Sequence, residues 1–289
     1  MRLLDRLRNR SARARQHRWR TRSYASTARH VVIGGSPRSG TTLLRRTFDR
    51  HPGLCCGPES SLFLPARVHV GQLAAGHGLP EGEVRALLSG SASQGAFVDA
   101  FAARYLALRG RPRWAEKTPL NIRHLAWILD RWPEARVIHV VRDGRDVVCS
   151  MREHPDRRWV DGRWVKELQP KPMEDHARRW VADTAAGLRY RGDPRYLEVR
   201  YEDLVETPEA TLETVLTFLG EPWDPGLLAV DPGVTAPPAV PGRPDAAGAI
   251  TTTSMGRWQR DLSVEDQATV KQIAGMRLVE LGYASGSDW

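Results

Sequence analysis

The chain has 289 residues, of which 41% are apolar and 27% charged, and a formal net charge of +9. That length suits a single α/β unit, and the apolar share allows a sizeable core. The charge suggests a nucleic-acid partner until it is located: residues 1–30 hold ten Arg against one Asp, while the rest balances 33 basic with 33 acidic side chains.

The basic character therefore belongs to an N-terminal extension, residues 1–29, and the body, residues 30–289, reads as one domain with no nucleic-acid footprint. Leu3, Leu4 and Leu7 precede the Arg run and suit at most a weak contact with an anionic surface. The early apolar run stops at Asp5 and Arg6, so no secretory signal is expected, and no stretch reaches the ~18 apolar residues of a membrane span. Cys55, Cys56 and Cys149 are odd in number and lack metal-ligand spacing. This points to a cytoplasmic protein with no metal site.

In chain order, Val31-Val32-Ile33-Gly34-Gly35 reads as a buried strand entering a loop, and Thr41–Asp49 as a helix. Residues 66–112 read as helices with loops. Thr118 and Pro119 open a helix whose apolar stripe is Ile122, Leu125, Leu129 and Trp132. Val137–Val141 is a second buried strand. Asp143 is placed to cap the following helix, with Asp146 at the capping-box position. A longer helix runs from Met173 to Leu188, and Tyr196–Arg200 is a third strand. Pro208–Leu219 reads as a helix stopped by Gly220, and Ser263 opens the last helix. Residues 231–248 are rich in Pro and Gly and read as a loop, a candidate lid. Strands alternating with helices predict a P-loop-like three-layer α/β/α sandwich around a parallel sheet.

The most informative segment is Gly35-Ser36-Pro37-Arg38-Ser39-Gly40-Thr41-Thr42, between a strand and a helix. Gly35 and Gly40 have P-loop spacing, but Thr41 stands where that motif demands Lys. Backbone N–H groups here can grip a phosphate. Without the Lys the loop is poorly equipped to cleave a triphosphate, which disfavours the alternative of a P-loop kinase or nucleotidase.

This run resembles the 5′-phosphosulfate loop of the sulfotransferase superfamily, in the bacterial branch similar to tyrosylprotein sulfotransferases. The resemblance recurs in pieces over residues 31–283. It implies 3′-phosphoadenosine 5′-phosphosulfate (PAPS) as donor, held at its 5′ end by Arg38, Ser39, Gly40, Thr41 and Thr42. Arg142-Asp143-Gly144-Arg145-Asp146 with Ser150 is similar to the family's 3′-phosphate motif, which assigns that phosphate to Arg142 and Ser150. An Arg fork and a hydroxyl suit a dianion. His51–Glu59 resembles the segment carrying the catalytic base, and Glu59 is the matching position, with His51 as a rival.

Trp114-Ala115-Glu116-Lys117-Thr118-Pro119 is similar to the E-K-T-P element, which casts Lys117 as stabiliser of the leaving phosphate, assisted by Arg38. Tyr201, in Y-E-D-L, is implied to lie near the phosphosulfate. Arg257, in G-R-W, is a candidate 3′-phosphate contact. Pro58 and Ser61 depart from the acidic residue and the Arg that the tyrosylprotein branch carries, so a small hydroxyl acceptor is expected over a protein. Arg157, Arg158, Trp159 and Trp164 suggest a partly aromatic acceptor rim.

Overall fold

The computed structural model describes residues 16–153, 157–160, 163–166, 171–229, 252–286 and 289. Leu3, Leu4, Leu7, His154 and the Pro/Gly-rich stretch 231–248 lie outside the described residues.

Seven strands are described: β1 Val31–Gly35, β2 Leu54–Cys55, β3 Arg113–Lys117, β4 Arg136–Val141, β5 Arg157–Val160, β6 Arg163–Lys166 and β7 Tyr196–Arg200. Five form an all-parallel sheet in the order β2-β3-β1-β4-β7. β1 is central because it is apolar on both sides. Val32 packs into one core with helices Val70–His77 and Gln94–Arg109, while Val31 and Ile33 pack into another with Thr41–Arg50 and Pro208–Leu219. A third core joins helices Gly144–Glu153, Met173–Leu188 and Val264–Glu280. This is the expected three-layer sandwich. β5 and β6 make a separate antiparallel hairpin, pairing residue 159 with residue 164.

Two elements depart from the sequence reading. β3 was not anticipated, because Arg113, Glu116 and Lys117 are charged, yet all are buried. Each is buried with partners: Arg113, for example, donates to Glu221 at 2.9 Å and to the carbonyls of Arg29 and Leu219. Pro119–His124 forms a 3₁₀ turn before the helix Leu125–Arg131. Thr118 does not cap it, since its hydroxyl donates to Glu116 and accepts from the Ser61 N–H.

Residues 16–21 are helical, and the segment up to residue 29 lies on the body. Trp19 donates to the Ser91 carbonyl at 3.0 Å, Arg20 lies 4.0 Å over the Trp127 ring, and Tyr24 donates to Asp99 at 2.6 Å. Among the described residues no helix is long and apolar enough to cross a membrane.

Candidate active site

The candidate site residues gather where β1, β3 and β4 end. In an open α/β sheet, the crevice beyond the strands' C-terminal ends, where neighbouring connections diverge, is the natural ligand site. β1 runs into the loop 36–40, and the helix Thr41–Arg50 starts with no side-chain cap. Its first-turn N–H groups therefore face the loop without the usual side-chain acceptor. Gly40 has φ 93°, and a Cβ there would lie 2.4 Å from the Tyr201 ring. Only glycine meets both demands. Arg38 also has positive φ, 74°, a strained conformation of the kind found at binding loops.

Arg142 leaves the end of β4 almost fully buried. It donates to the Arg38 carbonyl at 3.1 Å and to the Ser254 carbonyl, and lies 4.3 Å over the Tyr201 ring. Ser150 accepts from Arg38 Nε at 3.0 Å. The two phosphate-type motifs, far apart in sequence, thus touch through Arg38. Three buried atoms hold no hydrogen bond here, Ser36 Oγ and Ser39 Oγ in the loop and Arg142 Nε. Buried polar groups are rarely left so, and anionic groups bound in this crevice, one in the loop and one at Arg142, would satisfy them.

Lys117, at the end of β3, lies beside the same loop. Its Nζ sits 2.5 Å from Glu59 Oε1 and 3.4 Å from Thr42 Oγ1, and its side chain is 2% exposed against 29% for Glu59. The structure therefore brings Arg38, Ser39, Gly40, Thr41, Thr42, Arg142, Ser150, Tyr201, Lys117 and Glu59 to one place. His51 is elsewhere engaged: it is buried, its Nε2 meets the Pro222 carbonyl at 2.9 Å, and its Nδ1 accepts the Gly53 N–H. It has no free ring nitrogen to act as a base.

Two residues behave differently from expectation. Asp146 does not complete a capping box. It accepts the N–H groups of Gly256 and Trp258, at 2.8 and 3.1 Å, while the Asp143 N–H goes to Glu202. Burial pushes the Asp146 carboxyl above its usual range. Arg257 pairs with two carboxylates, Glu153 at 2.5 Å and Asp261 at 2.6 Å, which hold its guanidinium above its ordinary value. The segment around it nonetheless reaches the site through Ser254, Gly256 and Trp258. Arg145 is gripped by Asp143 and stacked between Trp258 and Trp289, at 4.1 and 4.7 Å. The Trp289 contact carries no local sequence signal.

The sequence pattern of the sulfotransferase family matches residues 30–225. The chain belongs to the sulfotransferase family. It is 27% identical over 268 residues to protein-tyrosine sulfotransferase 1 of Danio rerio, covering 88% of this chain and 72% of that protein. Other curated relatives are matched over less than two thirds of their length, 53% in Drosophila melanogaster and 64% in the nodulation protein NoeE of Sinorhizobium fredii. The sulfotransferase domain of the Synechococcus PCC 7002 olefin synthase superposes with a TM-score of 0.60 at 25% identity, covering 89% of this chain and 97% of the domain. A mouse sulfotransferase complexed with PAP shares the fold, with a TM-score of 0.56 at 13% identity over 88% of this chain and 86% of its own.

Proposed function

We propose that this sulfotransferase moves a sulfuryl group from PAPS to the hydroxyl of a small acceptor. The observation that carries the reading is the meeting of the two anion-binding motifs at Arg38, around the unsatisfied Ser39 Oγ and Arg142 Nε. A donor with phosphates at both the 5′ and 3′ positions needs two such groups within the span of one nucleoside. The loop would hold the 5′-phosphosulfate, and Arg142 with Ser150 the 3′-phosphate. That a homologous structure contains PAP supports the same donor.

Glu59 then takes the proton of the acceptor hydroxyl as its oxygen bonds to sulfur. The sulfur–oxygen bond to the 5′-phosphate breaks, and the charge left on that oxygen develops beside the Lys117 ammonium. Lys117 is well placed for this, since it already bridges the base and the loop hydroxyl of Thr42. A cation fixed where charge develops lowers the barrier without reorganising. Arg38 adds a second cation from the loop, tethered by Ser150. The acceptor oxygen must approach between Glu59 and the loop, so positioning supplies much of the rate. Ser61 stands where the tyrosylprotein branch carries an Arg, which weakens the case for an acidic peptide acceptor.

The test is turnover with PAPS and phenolic or alcoholic acceptors, alongside calorimetry with adenosine 3′,5′-bisphosphate. Glu59→Gln should bind the bisphosphate as the wild type does while kcat falls by ~10²–10⁴. Unchanged turnover would refute the base. Tight binding of ATP with magnesium, and none of the bisphosphate, would favour a P-loop kinase instead.

A further inference from the structure

The residue preceding Lys117 is a buried carboxylate that the proposed reaction does not use. Glu116 is 1% exposed and has no Lys, Arg or His partner within salt-bridge distance among the described residues. It gathers four neutral donors instead. Oε1 accepts the Ser60 N–H at 3.1 Å, the Ser60 hydroxyl at 2.8 Å and the Thr118 hydroxyl at 2.6 Å, and Oε2 accepts from the Asn121 amide. Burying a carboxylate costs several kcal/mol unless its lone pairs are filled, so a site this complete is built around the charge.

Its partners matter because of their neighbours. Ser60 follows Glu59 directly, and Thr118 follows Lys117 directly. Thr118 also accepts the Ser61 N–H at 3.1 Å, and Ser61 has a left-handed backbone, φ 56°. Glu116 thus ties the segment that carries the base to the strand that carries the cation, at the point where both chains turn toward the phosphate loop. The Glu59–Lys117 pair joins the same two segments, but that pair must open to the acceptor, whereas the Glu116 cluster need not.

We infer that Glu116 is a positioning residue for transfer: its carboxylate sets the register between Glu59 and Lys117 without touching donor or acceptor. This rests on the sulfotransfer reading above. Because a donor is held by Arg142, Ser150 and the loop, loosening Glu116 leaves donor affinity alone and acts on kcat. A displacement of about 1 Å between reacting groups is enough to cost ~10²-fold.

The experiment is Glu116→Gln, measured by kcat, by the dissociation constant for adenosine 3′,5′-bisphosphate and by hydrogen exchange over residues 57–64. Gln keeps the shape, and the Asn121 Oδ1, buried without a partner, can turn to accept its new N–H. We expect kcat to fall by ~10- to 100-fold, the dissociation constant to hold, and the Ser60 and Ser61 amides to exchange faster. An unchanged kcat, or a parallel loss of kcat, affinity and melting temperature, would overturn the inference. Should Glu116→Gln prevent folding, Ser60→Ala removes one donor and leaves the carboxylate in place. It should lower kcat by ~3- to 10-fold, again at constant affinity, and no effect there overturns the inference too. A wild type that neither binds the bisphosphate nor turns over would sink the sulfotransfer reading itself. The exchange measurement would still report whether Glu116 holds the segment.

Discussion

Replacing Arg142 by Lys keeps the charge but removes the fork, and so separates recognition of one phosphate from recognition of a nucleotide. Arg142 spends one nitrogen on the Arg38 carbonyl and one on the Ser254 carbonyl, stacks on Tyr201, and leaves Nε buried and unsatisfied. A Lys at this depth offers one compact ammonium and cannot make both carbonyl bonds while also meeting a phosphate. Losing one charge-assisted hydrogen bond to the 3′-phosphate is worth roughly 1.5–3 kcal/mol, or ~10- to 150-fold in affinity. Calorimetry with two ligands isolates it: adenosine 3′,5′-bisphosphate should weaken by that factor, and adenosine 5′-phosphate, lacking the 3′ group, should change little. Equal weakening of both would mean that Arg142 acts by holding the loop through Arg38. No weakening of either would remove it from the donor site.

The other predictions concern stability. Burial pushes the His139 imidazole down to about 3, from 6.5, and among the described residues its hydrogen-bond partner is the Tyr196 hydroxyl alone. Its folded value lies below its unfolded value, so its contribution is fully present above pH ~6.5 and is lost as pH falls toward 3, at about 1.4 kcal/mol per pH unit. Buried Asp146, Asp183 and Glu202 are shifted upward and work in the opposite direction, so the signature is a difference between proteins. Between pH 7 and pH 5, His139→Gln should lose about 2 kcal/mol less stability than the wild type in urea titrations, and equal losses would contradict the burial argument. Deleting residues 1–28 strips Trp19, Arg20 and Tyr24 from the core they pack against. Two partly buried aromatic rings at ~1.5 kcal/mol or more each should lower the melting temperature by about 5 °C or more, and an unchanged melting curve would show the segment to be dispensable.

Much of the fold was legible because its central strands are apolar runs bounded by glycine or charge: β1 and β7 fall at the bounds the sequence suggested, and β4 begins one residue earlier. The site loop was legible for a different reason, since Gly35 and Gly40 mark backbone conformations that few other residues tolerate. β3 was opaque because its charges are neutralised by residues distant in sequence, Glu221 for Arg113 and Glu59 for Lys117. A local reading sees only a polar stretch there.

The same blindness explains Asp146. Its spacing from Asp143 suits a capping box, but the peptide groups it serves are those of Gly256 and Trp258, more than a hundred residues on. Arg257, which the family resemblance places near the 3′-phosphate, pairs with Glu153 and Asp261, partners that no local pattern announces. Glu116 stood inside the E-K-T-P element in plain view. Nothing local distinguishes a hub for four donors from a surface carboxylate, and only the fold brings Ser60 to it.

A crystal structure with adenosine 3′,5′-bisphosphate confronts the whole account with one picture. The 5′-phosphate should rest on the N–H groups and hydroxyls of residues 39–42, with the 3′-phosphate between Arg142 and Ser150. A nucleotide lying across another face, or a ligand whose second phosphate points away from that arginine, would contradict it.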